Sequence, residues 1–94
     1  MAKLMDARDL SPFRRHRKLL LDHYGAARIL RNATISMWCG TGFGLSKIGW
    51  LDEDHLPIFF ELLNHYSVYG ENDDDFMAVA LECKEIEDRI AEQN

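Results

Sequence analysis

The side chains able to do chemistry in this chain are mainly acids and bases, and their spacing favours charge recognition over catalysis. One run reads Arg14-Arg15-His16-Arg17-Lys18, with Arg28 and Arg31 following. Cations near the start of a helix oppose its dipole, so helix stability does not account for them. Three explanations stand. The run contacts phosphate on a nucleic acid or an anionic surface, it matches acids elsewhere in the chain or in a second copy, or it forms a solvated face. Further on, Glu71, Asp73, Asp74 and Asp75 crowd a second helix start. Glu82, Glu85, Asp88 and Glu92 then recur at three- and four-residue steps, which aligns their carboxylates on one helix face. Such a row can replace phosphates in a basic groove that normally holds DNA or RNA. It is also what the solvated face of an ordinary amphipathic helix looks like.

Other chemistries fit poorly. No two of His16, His23, His55 and His65 lie three or four apart, the spacing that brings two helical imidazoles to one metal. The runs at 52–55 and 72–75 offer hard ligands, yet neither has the glycine and distal glutamate of a calcium loop. Gly40, Gly42 and Gly44 alternate after a helix, whereas a dinucleotide fingerprint follows a strand with a wider last gap. No segment forms a nucleophile elbow. Cys39 and Cys83 stand far apart without a Cys-x-x-Cys pair and read as small apolar side chains on helix faces, although spacing leaves a disulfide open. The expectation is a non-enzymatic chain with no cofactor and no metal.

The elements that must position these groups are helical. With 94 residues, 47% hydrophobic and 11% aromatic, the chain is one small domain and not a disordered tail. No apolar run is long enough for a membrane span, and Asp6, Arg8 and Asp9 interrupt any leader-like stretch. The unpaired spacing of Cys39 and Cys83 fits a reducing compartment, so a cytoplasmic location is expected. Ser11-Pro12 starts a helix running to about Tyr24, where Gly25 ends or bends it. A second helix covers Ala26 to Cys39, with Ala26, Ile29, Leu30, Ala33 and Met37 buried and Arg28, Arg31 and Asn32 facing away. The glycine-rich connection 40–50 follows, with one further turn near Ser46 to Trp50. Asp52 or Asp54 caps a third helix whose stripe is Leu56, Phe59, Phe60, Leu63 and Tyr66, reinforced by Leu62 and stopped by Gly70. A fourth begins among Asn72 to Asp75 and buries Phe76, Val79, Ala80, Cys83, Ile86 and Ile90. The fold expected is an all-α bundle of about four helices, with residues 1–10 as a frayed turn.

Charge order along this bundle is lopsided. Residues 1–47 carry a net +6 and residues 48–94 a net −11, which sum to the modest −5 of the whole. Ala27-Arg28-Ile29-Leu30 leads into Met37-Trp38, and then come the Gly-aromatic connection, Leu51-Asp52, an apolar helix to Tyr66, and Asp75-Phe76. Over about half the chain, this pattern resembles an uncharacterised group of short helical proteins from bacterial phages and plasmids. The resemblance implies a mobile-element setting, in which small acidic inhibitors such as anti-CRISPR proteins occur.

The functional expectation is an inhibitor that binds a protein with a basic surface, a CRISPR effector complex being the first partner class to test. Glu71, Asp73, Asp74, Asp75, Glu82, Glu85 and Asp88 would supply charge, and Phe43 and Trp50 would serve as apolar anchors. Two alternatives are a nucleic-acid-binding accessory protein using Arg14, Arg15, Arg17, Lys18, Arg28 and Arg31, and a homodimeric module matching its basic and acidic ends.

Overall fold

Ser11 and Pro12 start the first helix as their types require. The Ser11 hydroxyl accepts a hydrogen bond from the Phe13 amide at 3.2 Å, and proline takes the first helical position, where its missing N–H is harmless. In the computed structural model, which describes residues 11–93, this helix (α1, Pro12–Arg15) lasts one turn. His16, at φ −100° and ψ 14°, breaks it before α2 (Arg17–Leu20). One helix to Tyr24 was expected, so this is a correction. Arg14, Arg17 and Lys18 would repel one another at three- and four-residue spacing on a continuous helix, and no acid in the first turn offsets them. The break also lets adjacent cations address different helices. The expected turn at 1–10 lies outside the described residues.

Gly25 opens α3 (Gly25–Cys39) and does not end the preceding helix. Gly40 stops α3 in the left-handed conformation, φ 74°, and its amide bonds the Ser36 carbonyl at 2.8 Å. The buried face comprises Ala27, Leu30, Ala33, Thr34 and Ile35, while Ala26, Ile29 and Met37 are half-buried against the core. Arg31, expected to face outward, is fully buried.

After residues 40–44 the chain makes a 3-10 turn, Leu45–Trp50, and buries Leu51. Asp52 then holds the entry to α4 (Leu56–Tyr69), its Oδ1 accepting the Asp54 and His55 amides at 3.0 Å. A 3-10 turn, Gly70–Asn72, leads to α5 (Asp74–Gln93), whose start is held by Asp73 Oδ1 accepting the Asp75 amide at 2.9 Å. There is no strand among the described residues, and none of their helices is long and apolar enough to cross a membrane.

The core draws on every helix. Phe13 of α1 packs edge-to-face on Phe76 of α5, with ring centroids 4.8 Å apart. Leu20, Leu30, Ala33, Ile35, Leu51, Phe59, Leu62, Val79, Ala80 and Cys83 complete it. Full burial of one such side chain contributes about 1.5–3 kcal/mol, so α1 and α2, though only one turn each, are held by Phe13 and Leu20. In α4 the buried positions are Phe59 and Leu62, whereas Phe60 and Leu63 are exposed. The expected stripe on that helix is therefore too wide, because the inward face is narrow and the flanking apolar residues look elsewhere.

Candidate functional site

Most of the predicted basic patch meets acids of the same chain. Arg14 reaches Asp75 at 3.3 Å, Arg15 pairs with Glu61, and Arg17 grips both carboxylate oxygens of Glu82. His16 lies 2.9 Å from Glu61. Ser11 donates to Asp73 at 2.6 Å, and His65 contacts the same oxygen at 2.9 Å. The helix break at His16 makes this possible: Arg15 and His16 face α4, and Arg17 faces α5. Lys18 is exposed beside Arg14 and Arg17 and has no ion-pair partner among the described residues.

Arg28 and Arg31 share a single acid, Glu87. Arg28 is half-exposed and approaches it at 3.1–3.3 Å. Arg31 is 0% exposed. Its Nε donates to Glu87 Oε2 at 2.8 Å, and its Nη1 donates to the Leu20 and Asp22 carbonyls at 3.2 and 2.5 Å. Nη2 also sits 2.8 Å from Glu87 Oε2, close enough for an ion pair but without a hydrogen bond of its own. The buried guanidinium thus ties the end of α2 and the turn after it to α5.

These pairs shift protonation in one direction. Burial raises the Glu87 carboxyl, but hydrogen bonds and charge from Arg28 and Arg31 outweigh it and leave the pKa lowered. Glu61 follows the same logic, with Arg15 and His16 overcoming desolvation. Glu82 is lowered chiefly by the Arg17 hydrogen bond. The thiols separate: Cys83 is buried and pushed up to about 12 by desolvation, whereas Cys39 is exposed, contrary to expectation, and neither is in a disulfide.

A smaller relay joins α3 to α4. Asp52 Oδ1 accepts from His55 Nδ1 at 2.7 Å, which leaves His55 Nε2 to accept the Tyr24 hydroxyl at 3.0 Å. The order carboxylate, imidazole, hydroxyl is that of a catalytic relay. The Tyr24 phenol is raised above its ordinary value by burial and by the charges of Asp22 and Asp52. The contact holds two helix starts together. Among the described residues, no three His, Cys, Asp or Glu side chains gather as a metal-ligand set.

The predicted apolar anchors fall on two sides of the 45–50 turn. Phe43 is half-buried, stacked on Phe59 with centroids 6.3 Å apart. It lines a groove of about 380 Å³ with Met37, Leu45, Ile48, Phe60 and Leu63. Leu45 is 70% exposed there, Phe60 54% and Leu63 42%. Trp50 is 79% exposed and belongs to a second concavity on the opposite side, against α3.

The predicted acidic face is divided likewise. Asp73, Asp75 and Glu82 are engaged by Ser11, His65, Arg14 and Arg17, and Asp88 pairs with Lys84 at 2.5 Å. Glu71, Asp74 and Glu85 are exposed and have no ion-pair partner among the described residues. Sequence reasoning missed Glu61 and Glu87, the acids that hold Arg15 and Arg31, although Glu87 sits in the last helix beside the acids it did select. It also missed Phe60 and Leu63, assigned to the core. Comparison with family models, curated proteins and solved structures finds no match to this chain.

Proposed function

We propose that this chain is a non-enzymatic inhibitor that docks on a protein partner with a basic surface. The observation that carries this reading is the apolar groove between the 43–48 segment and α4, where Leu45, Phe60 and Leu63 lie open to solvent on one surface. Large apolar side chains gathered in one concavity are what a partner's side chain fills, and a polar rim around them sets orientation. Charge supplies the sign of the partner. Most cations are consumed by internal pairs, whereas Glu53, Asp54, Glu71, Asp74, Glu85 and Glu92 have no ion-pair partner among the described residues. The field left for steering is acidic.

The same accounting weighs against nucleic-acid binding by the first helix, since Arg14, Arg15 and Arg17 would have to leave carboxylates to meet phosphates. It weighs equally against dimerisation through opposite ends, because those charges already match within one chain. The resemblance to phage and plasmid proteins supplies the partner class, a CRISPR effector complex. The test measures target-DNA binding by purified effector complexes with and without the protein. Wild type is expected to abolish DNA binding, and Leu45→Asp and Phe60→Asp to restore it at least tenfold. Unimpaired DNA binding across effector types would reject the partner class. Undiminished inhibition by both variants would reject the groove.

A further inference from the structure

We infer that the concavity between α3 and the Leu45–Trp50 turn is a binding site for a nucleoside monophosphate. It measures about 660 Å³ and is walled by Arg28, Ile29 and Asn32 of α3 and by Ser46, Lys47 and Trp50 of the turn. It opens broadly to solvent, with Arg28, Ser46, Lys47 and Trp50 of its lining exposed. It lies across the turn from the apolar groove, shares no lining residue with it, and does not depend on the docking reading.

Each wall offers a separate part of such a ligand. Trp50 is 79% exposed, an indole face open to stack on a nucleobase, and Ile29 gives the concavity a second apolar wall. Asn32 carries both a donor and an acceptor for a base edge, and Ser46 carries a hydroxyl for a phosphate or ribose oxygen.

The charge is local and cationic in an otherwise acidic chain. Glu87 is one carboxylate between two guanidiniums, so Arg28 and Arg31 together leave one positive charge uncompensated. Lys47 has no ion-pair partner among the described residues and adds another. None of Asp22, Asp52, Glu53 and Asp54, the acids nearest these walls in sequence, lines the concavity; Asp52 contacts His55 at 2.7 Å, and the charge of Asp22 is felt at the Tyr24 phenol, beside the start of α3. Two excess positive charges suit one phosphate monoester, which is close to doubly ionised at neutral pH. A long strand would meet the rest of a chain whose net charge is −5, which favours the single nucleotide over a polymer.

The experiment is a titration of the full-length, nitrogen-15-labelled protein with AMP, GMP, CMP and UMP, followed by heteronuclear NMR. At least one of the four should shift the Trp50 indole and the Ser46 and Lys47 amides saturably, with Kd below about 1 mM. Adenosine alone and inorganic phosphate alone should bind at least tenfold more weakly, since each occupies half the site. Trp50→Ala and Lys47→Glu change exposed residues outside the core, and each should weaken binding at least tenfold with an unchanged spectrum elsewhere. Absence of saturable shifts for all four nucleotides would overturn the site, as would undiminished binding by Trp50→Ala. Binding of a thymidine octamer more than tenfold tighter than that of every mononucleotide would overturn the monophosphate in favour of single-stranded DNA.

Discussion

Replacing Glu87 with Gln tests the buried charge that ties α2, α3 and α5 together. The substitution keeps the volume of the side chain and one carbonyl acceptor for Arg31 Nε, but removes the negative charge. Arg28 is half-exposed and can rehydrate, whereas Arg31 is 0% exposed and cannot. Removing one member of a buried ion pair costs about 3–5 kcal/mol, and the retained acceptor places this case near about 3 kcal/mol. A domain of this length has about 5–14 kcal/mol of stability in all. At about 4–8 °C per kcal/mol, the melting temperature should fall by about 10–25 °C. Arg31→Met removes the cation itself; Glu87 keeps Arg28 as its partner, and the groups left short of a donor are the Leu20 and Asp22 carbonyls, the second of which water can reach, and one of the Glu87 contacts. Its cost should be smaller, about 1–2 kcal/mol, and the double variant should resemble Arg31→Met alone. Urea unfolding followed by far-ultraviolet circular dichroism reads all three, with constant m-values confirming a common transition. A loss below about 1 kcal/mol for Glu87→Gln, or greater damage from Arg31→Met, would refute the uncompensated-charge account.

Four further outcomes are expected. Glu61, Glu82 and Glu87 have folded pKa values below the ordinary 4.5, so the stability they contribute is fully present above that pH and is lost as pH falls through the lowered values. The urea midpoint should therefore drop steeply from pH 5 towards pH 3, and a flat midpoint there would contradict the pairing. A thiol reagent should find one fast thiol in the native protein, Cys39, and two in denaturant, because Cys83 is buried with its pKa raised to about 12; two fast native thiols would refute that placement. Gly70 lies at φ 52° and ψ −134°, a region essentially closed to other residues, so Gly70→Ala should cost about 1–3 kcal/mol by urea unfolding. Gly40→Ala, at φ 74° and ψ 13°, should cost less, about 1 kcal/mol, and the reverse order would contradict the two conformations. Tyr24→Phe removes the hydroxyl held by His55 and should lower stability by about 1 kcal/mol in the same assay; no change would mean that the relay contributes nothing to holding α3 on α4.

Boundaries set by a single residue were the part most legible from the chain. Ser11-Pro12, Gly40, Gly70 and Asp73 each act within a few residues, so their types suffice to place them; the cap expected at Asp52 or Asp54 falls instead on His55, and Asp52 closes the turn before it. The stripe of α5 was legible through Cys83 for the same reason, since the helix period repeats locally. The break at His16 was not, because the pairs it accommodates, Arg15 with Glu61 and Arg17 with Glu82, lie 46 and 65 positions apart. Arg31 escaped because helix periodicity assigns charge to solvent, and only its partner Glu87 makes burial affordable. The opposition of the +6 and −11 halves did carry the signal, as one of three explanations; what spacing alone lacked was the rule for which acid meets which base. Phe60 and Leu63 show the converse, since an apolar residue on a helix announces burial whether or not a neighbour exists to cover it.

The reach of the 11–20 segment also sets an order in time. Its anchors lie at Glu61, Asp73, Asp75, Phe76 and Glu82, and the carbonyls of Leu20 and Asp22 depend on Arg31, itself neutralised by Glu87. During synthesis, at about 5–20 residues per second, the first turns of this chain must wait several seconds for residues made near the end. Two isolated helical turns have too few hydrogen bonds to persist alone through that interval. The 11–20 segment therefore docks only once α5 has been made, and until then Phe13, Leu20 and a row of arginines stand without the partners that cover and pair them.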